Sequence, residues 1–281
     1  KFKWYILASC VSIVLCFTLG YGWVINSGDI TFGRLNAIPF QEVKWYHAMA
    51  PAILLLLTRI GIPVSTTFLV LSAFASTIVL EKMLVKSIMG YGMAAVIAYV
   101  LWIVISKCIN EKFDHPTHPK AWRIAQWLTT GFLWYTWVSH DMANIAVFLP
   151  RELPVEMLIG VMAVCTILLF YIFYHKGGKI QKIVLNKTGT RYVRSATIID
   201  FIYAFVLLYF KQYNDIPMST TWVFVGLLCG RELAIATMNK EYKLGYVFPL
   251  IGKDFLKMIS GLLVSVAIVL TIHYILIPNG L

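Results

Sequence analysis

The feature that most limits how this chain can fold is a set of long apolar runs without Asp, Glu, Lys or Arg. Four of them are long enough to cross a bilayer: residues 4–26, 87–106, 157–174 and 258–277. An apolar run of about 18 residues or more favours a transmembrane helix, because a helix pairs its own backbone polar groups. With 59% hydrophobic and 13% charged residues, the chain is predicted to be an all-α integral membrane protein.

The basic charge lies in the loops between these runs. Segment 176–194 carries six Lys and Arg residues and no acid. Loops rich in Lys and Arg face the cytoplasm, so the net charge of +11 predicts orientation rather than nucleic-acid binding. The same rule places residues 1–3, 107–123 and 231–254 on the cytoplasmic side of a plasma or inner membrane. The five cysteines have no disulfide or zinc spacing.

One short motif occurs twice, 154 residues apart. Residues 62–67 read Ile-Pro-Val-Ser-Thr-Thr, and residues 216–221 read Ile-Pro-Met-Ser-Thr-Thr. Proline suits the first helical position, so each copy predicts a helix that begins abruptly, one over residues 62–80 and one ending near residue 230. Hydroxyls and unpaired N–H groups at such a helix start attract anions. N-capping and helix contact are the alternative interpretation.

Other positions also repeat between the two halves. Lys82, Lys86 and Gly90 reappear 171 residues later, and the run 4–26 corresponds to 157–174. The first of these runs ends in a charge-balanced loop and the second in a basic one, which predicts an inverted-topology repeat with discontinuous half-helices. The predicted units are 1–107, a connector 108–123, and 124–281. The partner of 124–144 would precede Lys1, so we expect a further helix there.

An ionisable cluster ends the apolar run 124–139. It reads Val-Ser-His-Asp-Met-Ala-Asn over residues 138–144. With the two Ser-Thr-Thr motifs, it resembles the signatures of the inorganic phosphate transporter (PiT) family, which are of G-A-N-D-x-A-N and P-V-S-T-T-H type. Phe68 and Trp222 stand where the family has histidine, and His140 stands where it has asparagine.

The resemblance implies an ion-coupled symporter of inorganic phosphate, with sulfate as a variation, and no organic cofactor. It makes Asp141 and Asn144 cation ligands, with sodium as the implied metal ion. His140 makes proton coupling an option, since histidine titrates near neutral pH. Family analogy also allows a homodimer. The implied anion ligands are Ser65, Thr66, Thr67, Ser219, Thr220 and Thr221.

Several charged residues keep two interpretations. Asp200 is either a cation or proton site or an interfacial partner of a loop lysine. Arg231 and Glu232 are interpreted first as a snorkelling pair after the second motif helix. Arg151 and Glu152 are interpreted as loop charges. The remaining candidate, for metal binding, is the pair His115 and His118. An anion channel, a membrane enzyme or a scaffold on the same fold remain open as other functions.

Overall fold

Every regular element in the described part of the chain is a helix. The computed structural model describes residues 3–60, 64–108, 119–177, 193–238, 244–271 and 274. In chain order the elements are α1 (Trp4–Ile25), a 3-10 turn (Trp45–Ala48), α2 (Met49–Ile60), α3 (Thr66–Leu71), α4 (Thr77–Cys108), α5 (Pro119–Asp141), α6 (Ala143–Ala146), α7 (Val155–Tyr174), α8 (Val193–Tyr213), α9 (Thr220–Met238) and α10 (Leu244–Thr271).

Six of the described helices are long and apolar enough to cross a membrane, namely α1, α4, α7, α8, α9 and α10. This confirms the prediction of an all-α, multi-pass membrane protein. Helices α8 and α9 form the interior, since 61% and 56% of their apolar windows are buried, against 11% for α7. Helix α5 is more polar than these six, and it packs against α8 and α1.

The prediction of one helix over residues 62–80 is wrong. Helix α3 covers six residues and ends at Leu71, and the chain turns through residues 72–76 before α4 begins. Backbone bonds hold this turn, because the N–H groups of Phe74 and Ala75 both donate to the carbonyl of Leu71, at 3.0 and 2.9 Å. The first motif copy therefore opens a half-helix only.

Two other predicted helix boundaries are also wrong. Glu81 and Lys82 do not interrupt α4, because both side chains are exposed and a helix surface accommodates them. Helix α9 continues past residue 230 to Met238, so Arg231 and Glu232 lie within it rather than after it. Arg231 is 8% exposed, and its Nη1 lies 3.6 Å from a carboxylate oxygen of Glu232.

Helices α4 and α9 approach each other more closely than side chains normally allow. A Cβ added at Gly226 or Gly230 would collide with the backbone carbonyls of Tyr91 and Ala95 on α4. These two glycines are four residues apart and therefore share one face of α9. Small residues at this spacing are typical of close contacts between transmembrane helices.

The His47 ring packs against the turn after α3 and stabilises it. It stacks on Phe74 with ring centroids 4.1 Å apart, and its Nδ1 accepts the N–H of Lys44 at 2.9 Å. The side chain lies outside the six candidate spans, and burial lowers the pKa of His47 below its ordinary value of 6.5. The folded protein therefore favours the neutral ring.

Acidification is expected to weaken the packing of His47 against this turn. Below about pH 6.5 the unfolded chain protonates His47 more readily than the folded protein does, so the free energy of unfolding falls as the pH falls. We expect the melting temperature to drop between about pH 7.5 and 5.5, and His47→Asn to reduce that slope. The exposed His175, replaced in the same way, serves as the control. An unchanged slope in His47→Asn would contradict this account.

Candidate functional site

The starts of the two motif helices lie against each other. Phe68 and Trp222 occupy the same position in the two copies, and their ring centroids are 5.4 Å apart. Ser65 caps α3 by accepting the N–H of Phe68, and Ser219 caps α9 by accepting the N–H of Trp222, both at 3.2 Å. Two segments 154 residues apart in sequence therefore meet through equivalent residues.

The prediction that each helix begins at its proline is wrong. In the first copy, Val64 and Ser65 are not helical and α3 begins at Thr66. Helix α9 begins at Thr220, and Pro217 precedes the capping Ser219. The reason is that a serine hydroxyl can pair a helix N–H that a proline cannot. Pro63 lies outside the described residues.

The six hydroxyl residues of the two motif copies divide into three pairs. Ser65 and Ser219 use their oxygen atoms in capping, although each hydroxyl still has a proton to donate. Thr67 and Thr220 are buried, at 3% and 5% exposure. Thr66 and Thr221 are partly exposed.

Both neighbouring helices fix the start of α9. The Tyr203 hydroxyl on α8 donates to the carbonyl of Thr220 at 2.8 Å. The Ser87 hydroxyl on α4 accepts the N–H of Ser219, also at 2.8 Å. The backbone at Ser219 and Thr220 is therefore held in place from two sides.

Asp141 is brought into direct contact with the second motif copy. It is the last residue of α5, and its two carboxylate oxygens lie 2.9 and 3.2 Å from the hydroxyl of Thr220, which donates to them. Trp137 and Asn144 also interact with this carboxylate as hydrogen-bond donors. The cluster therefore joins α5, α6 and α9.

Asn144 adds an oxygen that has no protein partner among the described residues. It lies on α6 at 7% exposure, and its Oδ1 is buried without a hydrogen bond. Carboxylate, hydroxyl and amide oxygens are ligands for hard cations. In the described ranges, no three His, Cys, Asp or Glu side chains are grouped to hold a metal ion.

His140 faces α8 rather than this cluster. Its Nε2 lies 2.8 Å from the carbonyl of Leu207, and its Nδ1 is buried with no partner in the described structure. Because a carbonyl only accepts, Nε2 carries a proton and Nδ1 keeps a lone pair in the neutral ring.

Asp200 lies in a separate contact between α5 and α8. Its Oδ2 accepts the hydroxyl of Thr130 at 2.5 Å. Thr130 and Asp141 are 11 residues apart on α5, which corresponds to about 16 Å along a helix. The structure therefore does not bring Asp200 into the Asp141 cluster.

His115 and His118 lie outside the described residues, and Arg151 donates to the carbonyls of Ile38 and Pro39.

Asp141 also lines a cavity of about 960 Å³ between α1, α5 and α7. Apolar side chains form most of its wall, among them Trp134, Leu168 and Phe173, with Lys176 at one end. The carboxylate thus contacts Thr220 on one side and open space on the other. This geometry leaves the carboxylate accessible to an ion.

A group of cations beside the second motif copy was missed in the sequence. Lys86 donates to the backbone carbonyls of Asn214 and Ile216 and to the Asn214 side chain, at 2.9, 2.6 and 2.7 Å. Arg34 donates to the same Asn214 carbonyl at 2.6 Å. The available signal was Lys86, a charge beside an apolar run and one of the residues that repeat between the halves.

The chain was compared with protein-family models, with curated proteins and with solved structures, and none of them matched.

Proposed function

We propose that this protein is a secondary transporter that moves an inorganic oxyanion together with a coupling ion. Phosphate is the first substrate to consider, and sulfate is the alternative. The observation that carries this proposal is the contact between Thr220 and Asp141, because it joins the motif assigned to the anion with the motif assigned to the cation. Ions held at these two side chains would attract each other strongly in a low-dielectric site, so binding of one would favour binding of the other.

The anion would bind at the start of α9. That helix is 19 residues long, so its N-terminal N–H groups and dipole favour negative charge. Helix α3, with six residues, would contribute hydroxyl groups rather than a comparable dipole. The proposed anion ligands are the six hydroxyl residues of the two motif copies, and Thr220 contributes most.

Sodium is the coupling ion that the oxygen atoms favour. The Asp141 carboxylate supplies charge, and the unpaired Oδ1 of Asn144 supplies a neutral ligand. A proton is the alternative, because Nδ1 of His140 has no described partner and can accept one.

Helix packing supports the proposed inverted repeats. Helix α3 packs on α10, and α4 packs on α9. In the proposed repeat, α3 corresponds to α9 and α4 corresponds to α10. The contact between α3 and α10 is then equivalent to the contact between α9 and α4. Helices α1 and α7, the corresponding first helices, also pack together. Two units, 1–107 and 124–281, rocking about these contacts would expose the site alternately to each side.

The test is uptake of labelled phosphate into proteoliposomes under a sodium gradient, a proton gradient or neither. Thr220→Val removes the hydroxyl but keeps the shape, and we expect it to lower the uptake rate at least about tenfold, since a charge-assisted hydrogen bond is lost. Thr237→Val, an exposed position on the same helix, should retain wild-type uptake.

The outcomes separate the remaining functions. Uptake that needs no gradient would favour a channel. No uptake of phosphate or sulfate by the folded protein would mean that the site does not transport oxyanions. Full activity in Thr220→Val would remove Thr220 from the proposed site.

A further inference from the structure

Three cations gather just before the start of α9, and we call Arg34, Lys86 and Lys211 the cationic cluster. Arg34 comes from the loop after α1, Lys86 from α4 and Lys211 from the end of α8. Arg34 and Lys86 are 0% and 3% exposed, and Lys211 is half-buried. Arg34 and Lys86 both donate to Asn214, and Lys211 lies three residues before it and interacts with Arg34 through charge.

Arg34 has donors that nothing in the described structure satisfies. Its Nη1 binds the carbonyl of Asn214, but its Nε and Nη2 are buried without a hydrogen-bond partner. A guanidinium is a planar fork that matches two oxygens of an oxyanion. Two adjacent unpaired donors on one such group favour a bound anion over a purely structural role.

The hydrogen-bond partners of the two lysines carry no negative charge that would offset the positive charge of the cluster. All three acceptors of Lys86 are uncharged oxygens, on Asn214 and Ile216. Lys211 donates to the Tyr135 hydroxyl at 3.0 Å and lies 3.7 Å from the centroid of the Phe32 ring. Arg34 therefore repels both Lys86 and Lys211 in a partly dry environment, which is costly unless a negative charge compensates.

The nearby acid is Asp215. It is exposed, and it interacts with Arg34 and Lys86 through charge without a hydrogen bond to either. One exposed carboxylate against three cations leaves the cluster positive. Burial lowers the pKa of Arg34 to about 10, so its guanidinium remains charged at neutral pH.

We propose that Arg34, Lys86 and Lys211 form a second oxyanion site, which captures a phosphate-type anion before it reaches Thr220. The predicted orientation puts this end of the bundle on the outer side, opposite the basic segment 176–194. Asn214 lies six residues before Thr220, so the captured anion would lie beside the start of α9. Transfer of the anion from the cluster to Thr220 rests on the proposed function. Binding of the anion to the cluster does not depend on that function.

The first experiment measures binding of labelled inorganic phosphate to purified protein in detergent, without a gradient. It uses the Thr220→Val background, in which the motif site is weakened because its main proposed ligand is removed. We expect binding to persist there and to weaken at least about tenfold on adding Arg34→Gln or Lys211→Gln, because each removes a charged donor. Lys44→Gln, which removes an exposed charge from the same outer loop as Arg34, is the matched control and should bind as the background does.

Several results would overturn the second site. One is the absence of phosphate binding in folded Thr220→Val protein; another is unchanged binding after Lys211→Gln. If Arg34→Gln does not fold, Lys211→Gln decides, since Lys211 is only half-buried whereas Arg34 is fully buried. Failure of the proposed transport function would look different, because wild-type proteoliposomes would then take up neither phosphate nor sulfate while binding at the cluster remained.

A second arm distinguishes free phosphate from a lipid headgroup, which offers the same chemistry. The background protein is placed in nanodiscs of phosphatidylcholine alone or with phosphatidylglycerol, and labelled phosphate binding is measured again. Equal binding in both supports capture of the free anion. Displacement by phosphatidylglycerol, lost in Arg34→Gln, would assign the cluster to a lipid phosphate and overturn its role in substrate capture.

Discussion

Asp141→Asn is expected to abolish gradient-driven uptake while the protein still folds. Asparagine has the size of aspartate, and its Oδ1 can still accept the Thr220 hydroxyl that now lies at 2.9 Å, so the contact between α5 and α9 should survive. The negative charge that would hold the coupling cation is lost. We expect uptake to fall about 100-fold or more, which corresponds to about 2.7 kcal/mol.

Binding measurements give this prediction a second readout. In the wild type, sodium should tighten phosphate binding, and phosphate should tighten sodium binding by the same factor, because coupling free energies are reciprocal. In Asp141→Asn, phosphate binding should become independent of sodium. A variant that keeps both its uptake and its sodium dependence would remove Asp141 from the coupling site.

Asp200→Asn is the informative comparison. Both carboxylates were candidates from the sequence. Asp200, however, accepts the hydroxyl of Thr130, and Thr130 lies about 16 Å from Asp141 along α5. We therefore expect Asp200→Asn to keep most of its uptake. A loss as large as that of Asp141→Asn would mean that a second ion crosses the contact between α5 and α8.

The membrane fold could be predicted because its signal is local. Runs of apolar residues define spanning helices without knowledge of their neighbours, and α1 and α7 lie close to the predicted runs 4–26 and 157–174. The half-helix α3 could not be predicted this way, because residues 72–76 contain no Pro, Gly or charged residue that would mark the end of a helix. The break is seen in the backbone, which turns at residues 72–76 before α4 begins.

The site was predictable to the extent that its residues carry a chemical pattern. Asp141, Asn144 and Thr220 belong to motifs that can be read along the chain, although their contact across α5, α6 and α9 cannot. Arg34 was interpreted as one charge of a balanced loop, since its burial depends on a contact with Asn214, 180 residues away. Neither the hydropathy pattern nor the spacing of motifs predicts a contact between residues so far apart in the sequence.

Gly230→Ala is expected to produce the largest loss of stability among single-methyl changes. The added Cβ would meet the carbonyl oxygen, carbonyl carbon and Cα of Ala95. These are backbone atoms of α4, so no side-chain rotation can make room for it. Overpacking of a rigid contact costs about 1–3 kcal/mol, and a thermal melt of the purified protein should show the corresponding drop in melting temperature.

Gly160→Ala is the matched control, because this glycine also lies inside a helix but an added Cβ there meets nothing within 4 Å. Alanine favours a helix over glycine by up to about 1 kcal/mol, so this variant should be as stable as the wild type or more stable. Equal melting temperatures for the two variants would contradict close packing of α4 on α9.

The same clash should reach the proposed site. Helix α4 carries Ser87, whose hydroxyl accepts the N–H of Ser219 at the start of α9, and Lys86, which binds the segment before it. Pushing α4 away from Gly230 would lengthen both contacts and move Thr220 relative to Asp141. We therefore expect the Gly230→Ala protein that remains folded to take up phosphate more slowly, whereas Gly160→Ala should transport normally. Normal uptake in folded Gly230→Ala would mean that the start of α9 is held by α8 alone, through Tyr203.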